Sequence, residues 1–307
     1  MSVLVVLFLT AVLALFSGVY NQGKFARYIG ILGLLVALCV SFSPELAFFN
    51  QYKSMFDFNE NAALFTKISL VVTLLIFFLG GFAFNNHCSH QSELYSLMLF
   101  SLIGAVILFS FTNLVTLFLG IEILSIPLYV MAGSNKTDLR SNEASIKYFL
   151  MGAFATGFLL FGIALIYGST GSFDVHVINT FSVANPKDLM FVMGIMLMLV
   201  AMAFKVSLAP FHMWSPDVYQ GAPSLITAFM ASVVKIAAFF AFFKVMNLAF
   251  AGSIKEWINI LGVLVIITLL LANAMGLAQT NAKRMLAYSS VSHAGYLGLI
   301  FFGANSL

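Results

Sequence analysis

The sequence predicts an all-α protein, a polytopic bundle of transmembrane helices, and three observations carry that prediction. Of its 307 residues, 62% are hydrophobic and only 8% are charged, whereas an ordinary soluble domain is about a quarter charged. The mean hydropathy is +1.04. The apolar residues come in runs of about 20, long enough at ~1.5 Å per residue to cross a hydrocarbon layer of ~30 Å. A soluble core cannot absorb that much apolar surface, so the solvent for most of the chain is lipid.

Apolar windows place helices at roughly 2–20, 27–43, 62–84, 94–110, 113–132, 143–168, 188–208, 222–249, 256–278 and 284–303, ten spans in all. The first is read as a spanning helix and not a cleaved leader. No basic stretch precedes its apolar run, and Asn21-Gln-Gly-Lys24 does not look like a cleavage site. The apolar stretch from Leu94 to Ala132 exceeds one crossing and is split at Thr112-Asn113, which requires a tight link. The 34 Phe residues are spread through all the runs, so residues 1–307 form one membrane domain. If the helices alternate, Lys24, Arg27, Lys136, Arg140, Lys283 and Arg284 fall on one side, against Lys53, Lys187 and Lys255 on the other. The excess puts the first group in the cytoplasm and the N-terminus outside, a margin narrowed by Lys67 and Lys244 near helix ends. The chain stops at Gly303-Ala-Asn-Ser-Leu307, just after an apolar run and without a polar tail, and is expected to be truncated at its C-terminus.

Several classes are excluded or unsupported. The net charge of +3 comes from scattered residues, and only Lys283-Arg284 sets two basic residues side by side, so no nucleic-acid partner is expected. Cys39 and Cys88 form neither a CxxC pair nor a disulfide framework. His87-Cys-Ser-His90 is short and isolated in a link, and is read as surface loop rather than metal site. Without a Walker motif, a GxGxxG turn or a paired haem-ligating arrangement, no cofactor is expected within the chain.

Charges at bilayer depth carry the chemistry, because a central Lys or Asp costs about 2.5–3.5 kcal/mol even on the mildest scales. Most charged residues here lie in links or near helix ends, where they can snorkel. Three do not. Glu122 lies midway along the fifth helix in Leu117-Phe-Leu-Gly-Ile-Glu-Ile-Leu-Ser-Ile126, Lys205 lies just before Pro210, and Lys235 lies midway along the helix 222–249. Burial disfavours the charged form of an acid and of an amine alike, so both can exchange protons near neutral pH, as a relay requires. The competing reading is a structural Glu-Lys ion pair between helices, although one acid against two amines leaves a spare lysine. Lys147, four residues after Glu143, fits an exposed i,i+4 pair as well as a buried role.

Three prolines fall within Pro210-Phe-His-Met-Trp-Ser-Pro-Asp-Val-Tyr-Gln-Gly-Ala-Pro223, immediately after Lys205. Pro210 removes an amide donor and breaks the helix. At membrane depth, freed backbone groups are tolerated only against protein or water, as in the discontinuous helices of transporters, so water is expected near Lys205. Pro216 and Asp217 belong to this broken segment with Pro210, and His212 within it is a candidate proton-relay residue. The alternative is a proline-rich loop outside the bilayer, with His212 in solvent. His293, among small and hydroxyl residues in the tenth helix, either passes protons or bonds a neighbouring serine.

The run Phe204-Lys-Val-Ser-Leu-Ala-Pro-Phe-His-Met-Trp-Ser-Pro-Asp-Val-Tyr-Gln-Gly-Ala-Pro223 closely resembles the signature of the subunit N family of bacterial proton-pumping NADH:quinone oxidoreductase, respiratory complex I. Glu143-Ala-Ser-Ile-Lys-Tyr-Phe149, Ala231-Ser-Val-Val-Lys-Ile-Ala237 and Thr280-Asn-Ala-Lys-Arg-Met-Leu-Ala-Tyr-Ser-Ser-Val-Ser-His-Ala-Gly-Tyr296 support it, and the resemblance covers nearly the whole chain. It implies an antiporter-like fold of two inverted five-helix repeats, each with a broken helix. Accessory helices would occupy 1–90, the first repeat 91–250, and an incomplete second repeat would begin in 251–307. By motif position Glu122 resembles the family's acidic residue, Lys205 its broken-helix lysine, Lys235 its central lysine, and Lys147 a further lysine. The family's second repeat continues for several helices and carries another lysine, so this length is expected not to pump unaided.

What the resemblance implies is a proton-translocating subunit of the bacterial inner membrane. Its midplane Glu/Lys relay is coupled to quinone reduction in partner subunits, its partners include the other membrane subunits of complex I, and NADH and quinone are used by the complex. The chain is then a subunit of a translocase enzyme with no catalytic redox residue of its own. The nearest rival is a subunit of a multisubunit cation/proton antiporter or membrane-bound hydrogenase. A stand-alone solute carrier binding an organic anion with Lys205 and Lys235, or a purely structural scaffold, are rivals from other classes.

Overall fold

The computed structural model describes residues 1–20, 25–43, 54–83 and 90–303, and within them the chain is helical. The succession is α1 (Ser2–Val19), α2 (Phe25–Val40), α3 (Glu60–Ala83), α4 (Gln91–Ser110), α5 (Leu114–Ala132), α6 (Leu139–Thr170), α7 (Val175–Ala184), α8 (Leu189–Val206) and α9 (Trp214–Gly221). One rod over Ser224–Ala249 follows, built from α10 (Ser224–Phe229), a π-turn at Met230–Val234, α11 (Lys235–Lys244) and a second π-turn at Val245–Ala249. The described chain closes with α12 (Ile254–Leu277), α13 (Ala282–Gly298) and α14 (Ile300–Gly303).

Nine helices among the described residues are long and apolar enough to cross a membrane. The tenth expected span, at 27–43, is the 16-residue α2, shorter than a usual crossing. Lys24, Lys53, His87 and Cys88 lie outside the described residues. The expected split between α4 and α5 is present: Asn113 caps α5 by accepting from the Val115 amide at 2.8 Å. α6 begins earlier than hydropathy predicts, because Asp138 caps it by accepting from the Arg140 amide. It ends where Gly171 adopts φ 68°, a left-handed cap that glycine takes without strain. α7, capped by Asp174, replaces what hydropathy reads as a plain link, since at ten residues it is too short for a spanning window.

α4 is the axis of the bundle. It is apolar all round, and 16 of its 20 residues are buried, as a helix surrounded by other helices should be. It packs on α1, α3, α5 and α11. Small residues permit this: a Cβ on Gly104 would lie 2.3 Å from the Leu124 amide nitrogen, so α4 and α5 touch backbone to backbone. Ser101 Oγ donates to the Leu124 carbonyl at 2.8 Å in the same contact. The outer helices instead turn Leu13, Phe154 and Leu270 outward, each more than half exposed, a surface suited to lipid.

Candidate functional site

α5 supplies one wall of the site. Glu122, Ser125 and Tyr129 fall at i, i+3 and i+7 and so share one face of the helix. Thr156 of α6 donates to Glu122 Oε1 at 2.8 Å. Lys205, in the last turn of α8, donates to Ser125 Oγ at 2.7 Å and to Tyr129 Oη at 3.4 Å, and its Nζ lies 5.8 Å from the Tyr129 ring centroid. Glu122 is near enough to act on Lys205 electrostatically. Among the described residues, however, no ion pair within 4 Å joins Glu122 to a lysine. The lysine is held by neutral oxygens, with the carboxylate acting from beyond contact.

Lys235 is 8% exposed and follows directly on the first π-turn, a distortion frequent at functional positions. Its Nζ donates to the Ser290 carbonyl and, at 2.7 Å, to Ser290 Oγ, both on α13. It too has no carboxylate in contact among the described residues.

The segment after Lys205 is broken as its prolines require. α8 ends at Val206, Ser207 takes a left-handed cap at φ 65°, and α9 begins at Trp214. Protein groups meet much of the freed backbone: Trp214 Nε1 donates to the Phe204 carbonyl at 3.0 Å, and the Ala209 amide donates to Thr268 Oγ1 at 2.8 Å. The expected role for water at these two groups is thus filled by side chains. Ser207 Oγ is buried without a hydrogen-bond partner among the described residues, while His212 lies against the Pro210 backbone and Ser215 against the Tyr219 phenol. His212, which a solvent-loop reading would expose, is 4% exposed, and burial holds its imidazole below the ordinary value.

Lys147 and Asp217 belong to a second, wetter cluster. Lys147 Nζ lies 2.6 Å from Glu143 Oε1 and 2.7 Å from Asp217 Oδ2, so the i,i+4 pair is present and a contact to α9 is added. Arg284 Nη1 of α13 lies 2.6 Å from Asp217 Oδ1 and donates to Gln220 Oε1 at 3.1 Å. Burial pushes the Asp217 carboxyl up, but Lys147 and Arg284 outweigh it and hold it below the usual carboxylate range. Arg140, Glu143, Asp217, Gln220 and Arg284 line a cavity of about 220 Å³ here.

His293 stands apart from both groups. It is exposed on α13, with its ring 6.3 Å from that of Tyr296. Lys244, which hydropathy places near a helix end, is 9% exposed. It donates to the Phe109 carbonyl at 3.3 Å and lies 4.6 Å from the Phe111 ring centroid. Its only sequence signal was a second lysine inside the run 222–249, and snorkelling explained that signal away. Ser125, Thr156 and Ser290 were invisible to a search for charge.

Fold and site together define a polytopic α-helical membrane protein that carries ionisable groups in its interior. Residues 111–306 match the family described as NADH:quinone oxidoreductase/Mrp antiporter, TM, and the chain belongs to that family. It is 44% identical over 275 residues to NADH-quinone oxidoreductase subunit N of Cytophaga hutchinsonii, covering 89% of this chain and 58% of the relative. It is 40% identical over 298 residues to subunit N of Trichlorobacter lovleyi, covering 95% and 61%. The chain therefore spans about three fifths of the length of these curated relatives. A chain of respiratory complex I from Thermus thermophilus superposes with a TM-score of 0.77 at 33% identity, over 99% of this chain and 65% of that one. The membrane-bound sulfane sulfur reductase, an archaeal respiratory membrane complex, gives 0.82 at 25% identity over 98% and 65%.

Proposed function

We propose that this chain is the proton-translocating part of a subunit N of NADH:quinone oxidoreductase, moving protons through Glu122, Lys205 and Lys235. Quinone reduction in partner subunits of the complex, which uses NADH and quinone, drives the movement. The observation that carries this reading is the environment of the two interior lysines. Each ammonium meets hydroxyl or carbonyl oxygens and, among the described residues, no carboxylate in contact, so neither charge is locked by an ion pair there and a proton can leave. Glu122 biases Lys205 from beyond contact. The buried Ser207 Oγ, without a hydrogen-bond partner among the described residues, favours water in the broken segment, because buried polar groups require partners. In this reading residues 91–250 form the first of two inverted repeats and 251–307 begin the second. The protein lies in a bacterial inner membrane with its N-terminus outside.

The likeness to the sulfane sulfur reductase favours one other assembly on the same scaffold, and the two are separated by partners. Co-purification of the native protein with quinone- and NADH-handling subunits supports the proposal, and co-purification with another set of subunits overturns it. The relay itself is tested by Lys205→Met in the assembled complex reconstituted into vesicles. Proton uptake driven by electron transfer should fall by about 100-fold, the size of a lost proton-transfer group. Unchanged uptake sinks the relay.

A further inference from the structure

α13 carries both partners that join the two clusters. Its first turn holds Arg284, paired to Asp217 at 2.6 Å, and Lys283, which donates to the Ala222 carbonyl at 3.4 Å. Six residues on, roughly 9 Å along the axis, Ser290 supplies both hydrogen-bond acceptors of Lys235. The buried face of the helix packs on α12 and α9, while Met285, Leu286, Tyr296 and Leu297 face outward; its further polar ties are Ser292 to Asn273 of α12 at 3.0 Å and Ser290 to Tyr219 of α9. Among these ties the pair with Asp217 is the one between opposite charges.

Asp217 is shared. One carboxylate oxygen takes Lys147 of α6 and the other takes Arg284 of α13, so a single side chain on α9 ties the broken segment to helices on both flanks. Lys147 keeps Glu143 if Asp217 is lost, whereas Arg284 is left with the neutral Gln220 and Tyr288. The consequence of losing Asp217 falls on α13.

We propose that Asp217 is a positioning residue: through Arg284 it fixes α13 so that Ser290 presents its carbonyl and hydroxyl to Lys235. It touches no proton in transit. It acts by keeping the acceptors that stabilise the Lys235 ammonium in place. The charged groups around Asp217 are Lys147, Glu143 and Arg140 of α6 and Arg284 of α13. Lys235 makes no ion pair among the described residues, and the phenol of Tyr219 on α9, which burial keeps neutral, lies beside the same Ser290. The proposal rests on the relay reading of Lys235.

The test is proton translocation against pH by the full-length protein in its intact membrane complex, normalised to the amount of complex assembled. Asp217→Asn should lower the rate per complex by roughly three- to tenfold, the coupling expected of a hydrogen-bonded charge network, and displace the pH profile. Asp217→Glu should restore both, and so should the exchange Asp217→Arg with Arg284→Asp. Less assembled complex with an unchanged rate and profile per complex makes Asp217 merely structural and overturns the proposal. It is equally overturned if Lys147→Met reproduces the displaced profile, because the effect then runs through α6. Lys235→Met separates the two ideas. If that variant still translocates, the relay reading fails and this inference with it; if it is inactive while Asp217→Asn behaves as wild type, only the positioning role fails.

Discussion

Lys147 and Lys205 are the same residue type on neighbouring helices, yet their surroundings are opposite. Lys147 sits between two carboxylates at 2.6 and 2.7 Å with 41% of its side chain exposed. Lys205 meets Ser125 and Tyr129 hydroxyls, with its carboxylate, Glu122, beyond contact. Direct ion pairing fixes a charge, whereas a polar but uncharged cradle leaves the choice of protonation state open. In the proposed relay, a lysine's contribution to proton movement would depend on the oxygen it touches and not on its presence in a helix alone.

The largest expected effect that would break this contrast is a pair of arginine substitutions. Arginine keeps the charge and the hydrogen bonds but does not release its proton. Lys205→Arg should lower proton translocation by about 100-fold, as loss of a proton-transfer group does, and Lys147→Arg should stay within roughly twofold, the scale of an exposed ion pair. Equal effects at both sites would erase the distinction. Next in size, Glu122→Gln should slow translocation by about tenfold, the factor that ~1.4 kcal/mol of electrostatic coupling supplies. A neutral result would mean that Lys205 is insensitive to the carboxylate.

A smaller effect concerns His212, which is buried in the broken segment. Burial holds its folded imidazole below the ordinary value of 6.5, so as pH falls below that value the unfolded chain takes up a proton that the folded chain refuses. Stability is therefore lost as pH falls below about 6.5. The unfolding midpoint of the detergent-solubilised protein should decline with acid in that window, and His212→Gln should flatten the decline. The smallest effect is expected at His293: His293→Ala should leave the translocation rate unchanged, because the ring is exposed and contacts Tyr296 rather than either interior lysine.

Much of this was legible in the sequence. Glu122, Lys205 and Lys235 stood out because a charge inside an apolar run demands a reason, and the break after Lys205 was written in Pro210, Pro216 and Pro223. Lys244 was misjudged because position along a run does not reveal whether the ammonium reaches the interface. It lies instead against the Phe109 carbonyl and the Phe111 ring. α7 was missed because hydropathy windows built for about 20 residues pass over a ten-residue helix. The hydroxyl partners were missed because serine and threonine are unremarkable in membrane helices, where they commonly bond across interfaces.

The sequence by itself determined the solvent, the succession of spans and the few ionisable residues worth suspecting, since these follow from composition and from local cost in lipid. Tertiary structure alone decided partners: Thr156 for Glu122, Ser125 for Lys205, Ser290 for Lys235, and Asp217 shared by Lys147 and Arg284. The physical reason is distance along the chain. Each of these contacts joins residues at least 34 positions apart, and no local periodicity encodes which faces of two helices will meet.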